Sequence, residues 1–309
     1  MHHHNETQIL KGSALAKRLR AEIAAGRIHL EELGGGIPVL ATLLVGENPA
    51  ALAYRASIHR TFTKVAIEHR AIQLSSSTSS TGLLSALEQL NADPEVTGVL
   101  VLMPLPDHLA PATILEHLSP LKDVDGITPT NAGRLHLGLP SLRPSTPAGG
   151  LELLDHHKVH LPGSRITVVG RSNVVGRPLA TLLTQRHATV TLCHRQTVEL
   201  AGVVRGADIV CIAAGHAGLI KGDMITPGTT VLDFGVNVVD DGSIVGDADF
   251  DSMMGIAGAI TPVPGGTGPV TALVLARNTI AAGFAALNGN LDHVLFELPE
   301  AMLASIREA

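Results

Sequence analysis

The chain has 309 residues, of which 45% are hydrophobic, 16% charged and 2% aromatic, with a formal net charge of −6. That length suits about two domains of roughly 150 residues each, and the apolar content supplies a core of Ala, Val, Leu and Ile that argues against disorder. The negative charge argues against nucleic acid as a partner, no run of about 18 uninterrupted apolar residues predicts a membrane span, and a cytoplasmic location is the default.

The opening MHHH reads as native sequence or a tag remnant, so His2, His3 and His4 carry no metal argument, and no signal peptide is expected. GSALAKRLRAEIAAGRIHLEEL has helical spacing and ends at Gly34-Gly35-Gly36. PVLATLLVG (38–46), a short apolar run between Pro and Gly, predicts a buried strand. ENPAALAYRASI then opens a helix carrying Tyr54, the only Tyr in a chain without Trp. EHRAIQLS predicts a second strand. STSSTGLLSALEQLNADP predicts a helix capped by Thr81 or a nearby Ser, and VTGVLVLMPLP a third strand ending in a rigid Pro loop. Strands alternating with helices at this spacing predict parallel βαβ units.

GLPSLRPSTPAGG (138–150) is rich in Pro, Gly and Ser and reads as the domain boundary. From Arg165 the pattern restarts with the strand RITVVG, the helix VVGRPLATLLTQRH, the strand ATVTLCH, the helix ELAGVVRGA and the strands DIVCIAA and TTVLDFG. A Pro/Gly loop then enters a long apolar helix, AITPVPGGTGPVTALVLARNTIAAGFAAL. The fold class is α/β, with residues 1–148 as a first domain completed by 270–309, and residues 149–269 as a Rossmann-like domain. Cys193 and Cys211 lie in apolar runs and read as small buried hydrophobes, not as a disulfide framework. No metal site is expected.

VVGRSNVVGRP (168–178) follows a strand and opens a helix. Gly170, Ser172 and Gly176 form a variant of the dinucleotide fingerprint. Gly170 permits the tight turn, Ser172 permits close approach, and the helix N-terminus offers N–H groups to a pyrophosphate. Pro178 suits an early helical position, where no N–H is needed. The next strand ends in His194-Arg195 with no acid. A carboxylate there would accept from a ribose 2′-OH, whereas a cation suits a 2′-phosphate. Arg195 together with Arg171 therefore favours NADP over NAD.

GENPAALAYRASI, KDVDGI (122–127), RPSTPAGG (143–150), GRSNVVGRP, ATVTLCH, GDADF (246–250) and ITPVPGGTGPVT (260–271) occur in this order. Together they resemble the methylenetetrahydrofolate dehydrogenase/cyclohydrolase family over residues 8 to 288. The resemblance implies two α/β domains around a cleft, a C-terminal helix returning to the first domain, and a homodimer formed through the nucleotide domain. It implies hydride transfer from the one-carbon bridge of 5,10-methylenetetrahydrofolate to NAD(P)⁺, and then addition of water to give 10-formyltetrahydrofolate. Tyr54 would pack on the folate, Asp125 would hold the pterin, and Pro264, Gly265 and Gly266 would line the cleft. Asp123 is the more structural of the two aspartates in its turn. Val175, Ala214, Gly215 and Val236 complete the expected cofactor contacts.

Two positions depart from the family pattern. The family carries lysine four residues after the tyrosine as the acid–base group of the hydrolytic step; this chain carries Ile58. The family strand ends in Gln-Leu-Pro-Leu-Pro, where the glutamine supports that lysine; this chain has Leu102-Met103-Pro104-Leu105-Pro106. Arg55 and His59 point around the helix from the Tyr54 face and are poor substitutes. Hydride transfer needs proximity and orientation, whereas adding water needs proton management worth roughly 10²–10⁴-fold. The chain is therefore expected to be an NADP-dependent dehydrogenase whose cyclohydrolase activity is lost or very weak, with Ile58 and Leu102 as an apolar wall of the folate site. The alternatives are an NADPH-dependent imine or iminium reductase on the same fold, a non-catalytic folate- or nucleotide-binding homologue, and a bifunctional enzyme with rerouted residues. The tail after residue 290 has the spacing of a short amphipathic helix, expected to pack on the first domain or at a dimer contact.

Overall fold

The computed structural model describes residues 6–294. In chain order the elements begin β1 (Gln8–Ile9), α1 (Ser13–Glu32), β2 (Val39–Val45), α2 (Pro49–Lys64), β3 (Glu68–Leu74), α3 (Ser80–Ala92), β4 (Gly98–Val101), α4 (Pro111–His117) and α5 (Pro129–His136). Next come α6 (Ser145–His156), β5 (Arg165–Val169), α7 (Gly176–Gln185), β6 (Thr189–Cys193), α8 (Leu200–Arg205), β7 (Ile209–Ile212) and β8 (Thr230–Asp233). The last are β9 (Asn237–Val238), β10 (Ile244–Val245), α9 (Phe250–Met253), β11 (Ala259–Ile260) and α10 (Gly268–Asn288). Two compact units result. Among the described residues, one comprises Lys17–Ser145 with residues 272–294, and the other residues 6–16 with Thr146–Thr271.

The first unit is built on a parallel sheet of order β3-β2-β4, with Leu43 beside both Ile72 and Val101. Every residue of β2 is buried, which is why its sequence is a continuous apolar run and not an alternating one. Helix α3 buries Leu83, Leu87 and Leu90, one face of a 3.6-residue period, against Leu43, Val45, Val99 and Val101. Each such leucine contributes about 1.5–3 kcal/mol of transfer free energy. The α3 cap is Ser79, whose hydroxyl accepts from the Gly82 N–H at 3.2 Å. Thr81 is already inside the helix and does not cap it. At the start of α2, Asn48 accepts from the Ala51 N–H at 3.1 Å and Pro49 occupies the first turn.

The second unit holds a six-stranded parallel sheet of order β1-β11-β8-β7-β5-β6. The chain leaves β5 for β6 on one side and returns to β7 on the other. The crevice beyond the carboxyl ends of β5, β6 and β7 is thus a topological switch point, where open α/β sheets bind ligands. Strand β1 has no counterpart in the sequence reading, which places residues 1–148 in one domain. Its pairing of Gln8 with Ala259 and Ile9 with Ile260 draws the first residues into this unit.

The boundary stretch is only partly a loop. Helix α6 starts within it at Ser145, because Pro147 falls in the first turn, where its missing N–H costs nothing. Helix α10 is long and apolar enough to cross a membrane, but 78% of that apolar window is buried inside the protein, as in a core helix. Leu291–Val294 forms a 3₁₀ turn. The remainder of the expected tail helix, from 295 on, lies outside the described residues.

Candidate active site

In the second unit, a cavity of about 800 Å³ opens at the switch point. Gly170, Arg171 and Ser172 line it from the turn after β5, His194 and Arg195 from the end of β6, and Ala214 and Gly215 from the turn after β7. A side chain at Gly170 would strike the backbone of Ala213, and one at Gly176 the Gly170 carbonyl. The turn therefore closes tightly only with glycine at both places. Ser172 serves as the cap that Val175 lacks, its hydroxyl accepting from the Val175 N–H at 3.1 Å. Arg171 and Arg195 are exposed, and among the described residues neither guanidinium has an ion-pair partner. Of the other expected contacts, Val175 precedes α7 and Gly176 is its first residue, buried. Val236 is 69% exposed just before β9; neither it nor those two residues line the cavity. Thr197 and His216, which no sequence motif marks, also line it. The Thr197 hydroxyl accepts from the His194 N–H at 2.8 Å and shapes the end of β6.

In the first unit, KDVDGI folds into a tight turn. Asp123 is fully buried and accepts from the Thr128 N–H at 2.8 Å, the Thr128 hydroxyl at 2.7 Å and Asn131 Nδ2 at 2.9 Å. It tethers the loop to the start of α5, a structural role. Gly126 has φ +61°, and a side chain there would meet the Leu142 carbonyl, so only glycine turns the chain here. Lys122 donates to the Leu90 and Asp93 carbonyls at 2.9 and 2.6 Å. It is committed to the carbonyl end of α3.

Asp125 is thereby presented beside Ser145 and Tyr54. The Ser145 hydroxyl donates to Asp125 Oδ1 at 3.4 Å, the Ser145 backbone N–H reaches the same carboxyl, and the Tyr54 and Ser145 hydroxyls share a hydrogen bond. Burial, aided by the negative charge of Asp123, pushes the Asp125 carboxyl up to about 7. Burial and the adjacent Asp125 raise the Tyr54 phenol well above its ordinary value. The tyrosine is nevertheless 36% exposed, with its hydroxyl held at Ser145. An accessible ring with an anchored hydroxyl suits stacking against a flat ligand.

Among the described residues, neither Tyr54 nor Asp125 has a cation among the groups that shift it. Ile58 is 0% exposed and Leu102 2%. Arg55 donates to Gln73 at 2.9 Å, and His59 meets His69 with their Nδ1 atoms 3.3 Å apart. Both side chains are turned toward β3 as the helical spacing requires. Two further residues join the site that no motif marks. Ser145 lies in the Pro/Gly/Ser stretch of the domain boundary. Asn278 on α10 donates to the Val124 carbonyl at 2.8 Å and the Arg143 carbonyl at 2.7 Å. It ties together the two segments that carry Asp125 and Ser145.

Pro264, Gly265 and Gly266 belong to the second unit. They form a turn after a cis Val263–Pro264 peptide, in which the Gly265 carbonyl accepts from the Gly12 N–H at 3.0 Å.

Residues 10–125 match the tetrahydrofolate dehydrogenase/cyclohydrolase catalytic domain, and residues 144–286 match the NAD(P)-binding domain of the same family. The chain belongs to the tetrahydrofolate dehydrogenase/cyclohydrolase family. It is an oxidoreductase of the methylenetetrahydrofolate dehydrogenase type. It is 49% identical over 275 residues to the bifunctional protein FolD of Chloroflexus aurantiacus, covering 89% of this chain and 96% of that one. It is similar to the crystal structure of the Campylobacter jejuni bifunctional FolD, with TM-score 0.86 and 39% identity over 90% of this chain and 98% of that chain. The Trypanosoma brucei methylenetetrahydrofolate dehydrogenase-cyclohydrolase, solved with NADP cofactor and an inhibitor, also has TM-score 0.86. It is 32% identical over 91% of this chain and 98% of that one.

Proposed function

We propose that the chain is an NADP-dependent 5,10-methylenetetrahydrofolate dehydrogenase that has lost the cyclohydrolase step. The observation that carries this reading is the side chain at position 58. A fully buried isoleucine lies one helical turn from Tyr54, and among the described residues no cation is among the groups that shift Tyr54 or Asp125. Leu102, equally buried, supports it.

The cavity in the second unit fits the dinucleotide. The glycine-closed turn and the N-terminus of α7 suit the pyrophosphate, and Arg171 and Arg195, without an ion-pair partner among the described residues, suit a 2′-phosphate. When bound there, the nicotinamide ring supplies the hydride acceptor. In the first unit, Tyr54 lays its ring against the folate. Asp125, as carboxylate, accepts from the pterin N–H groups, and Ser145 and Asn278 keep that carboxylate in place. Hydride loss from a carbon between two nitrogens needs no protein base, because the nitrogen lone pairs stabilise the cation. Orientation is the main contribution of these residues. Adding water to the cation requires a group to take its proton, and the apolar side chains at 58 and 102 cannot do so.

The test mixes purified protein with 5,10-methylenetetrahydrofolate and NADP⁺ or NAD⁺ and follows the reduced cofactor. Turnover with clear preference for NADP⁺ is expected. Equal use of the two cofactors would overturn the NADP assignment. Absence of turnover with either would overturn the folate assignment and lead to NADPH oxidation with cyclic imines.

A further inference from the structure

The GDADF motif (246–250) sits directly behind the cofactor cavity. Asp247 is 0% exposed and meets four donors. Its Oδ2 accepts from the Ala214 N–H at 2.7 Å and the Gly215 N–H at 2.8 Å. Its Oδ1 accepts from the His216 N–H at 2.8 Å and Asn237 Nδ2 at 2.9 Å. Three consecutive backbone N–H groups of the turn after β7 are thus consumed by one carboxylate, and this turn lines the cavity.

A second buried aspartate holds the first. Asp233, at the end of β8 and 2% exposed, accepts from the N–H groups of Gly235 at 2.7 Å, Ala248 at 2.8 Å and Asp247 at 3.2 Å. Glycines make room for both carboxylates. A Cβ at Gly235 would collide with Asp247, and one at Gly246 with Asp233. Neither glycine has a positive φ, so close approach and not backbone freedom is the reason for glycine there.

A buried carboxylate with four donors is fixed in orientation, and it fixes what it binds. It also leaves the turn no N–H for a ligand anion and places a negative charge behind it, which disfavours phosphate. We propose that Asp247 is a positioning residue of the dinucleotide site. By taking the donors of Ala214, Gly215 and His216 it presents that turn to an uncharged part of the dinucleotide, and phosphate is left to the Gly170–Gly176 turn with Arg171 and Arg195. This rests on the reading of the cavity as the NADP site.

Asp247→Asn tests it, because an amide turns an N–H₂ toward N–H donors and cannot keep all four bonds. Isothermal titration and initial rates are measured with NADP⁺ and NAD⁺ for both proteins. Loss of two or more bonds predicts that Kd and KM for both cofactors rise by about tenfold. The two rises should match, since the 2′-phosphate is not involved. The KM for folate and kcat at saturating cofactor should stay near their original values. A role in stability alone would lower Tm and the active fraction while leaving Kd unchanged, and that result overturns the proposal. If Asp247→Asn does not fold, Asn237→Ala removes one of the four donors, and a smaller rise, again equal for both cofactors, is expected; no rise overturns the proposal. Failure of the unmodified protein to bind either cofactor would instead overturn the cofactor-site reading on which the proposal stands.

Discussion

Restoring the hydrolytic pair, Ile58→Lys with Leu102→Gln, puts the proposed loss of function to a direct test. The unmodified side chains are 0% and 2% exposed, so each substitution gives up about 2 kcal/mol of apolar burial. The new ammonium loses further solvation, offset when the glutamine amide hydrogen-bonds it, a charged bond worth about 1.5–3 kcal/mol. A net destabilisation of about 4 kcal/mol follows, against a usual stability of about 5–15 kcal/mol. The double variant should fold, with Tm lowered by roughly 8–16 °C. Burial also lowers the lysine pKa toward neutrality, where a general base is effective. Loss of methenyltetrahydrofolate absorbance measures hydrolysis, and NADPH formation reports whether the folate and cofactor sites survive. The double variant should hydrolyse about 10²-fold faster than the unmodified protein, while Ile58→Lys alone, with its ammonium unpartnered, should gain little. A double variant that keeps dehydrogenase activity but gains no hydrolysis would refute the reasoning.

Arg195→Ala should raise the NADP⁺ KM by about tenfold through loss of a charge-assisted phosphate contact, with the NAD⁺ KM unchanged in the same initial-rate assay. Asp125, held up to about 7, keeps in the fold a proton that the unfolded chain loses near pH 4. Unliganded stability should therefore fall as pH rises from about 4 through 7, while folate affinity rises as the carboxylate forms near 7. Asp125→Asn should abolish that pH dependence of the folate KM, weaken folate binding throughout, and raise the unliganded Tm above pH 7 in a thermal melt. Asn278→Ala frees the Val124 and Arg143 carbonyls. It should cost about 1–3 kcal/mol in denaturant melts and raise the folate KM without changing the NADP⁺ Kd.

The parts of the fold that the sequence discloses are those governed by local pattern. The buried run of β2, the helical face of α3 and the Gly170–Gly176 turn each depend on neighbours within a few residues. What it conceals depends on partners far along the chain. Two-residue β1 has no periodicity to detect and exists through pairing with β11, some 250 residues later. The start of helix α6 is concealed in the stretch that reads as the domain boundary, because Pro, Gly and Ser signal a break, yet Pro147 sits where a helix accepts proline. The candidate site divides in the same way. Tyr54, Asp125, Arg171 and Arg195 carry chemistry that can be recognised from residue type and motif. Ser145, Asn278 and Asp247 act by hydrogen bonds to residues 20, 154 and 33 positions away, which no window of sequence displays.

The most direct test of the central claim adds methenyltetrahydrofolate to the unmodified protein, without dinucleotide, and compares its decay with buffer alone. The buried Ile58 and Leu102 predict that the two rates coincide, and that during turnover with NADP⁺ methenyltetrahydrofolate accumulates one-for-one with NADPH. Conversion to 10-formyltetrahydrofolate well above the buffer rate would contradict the account.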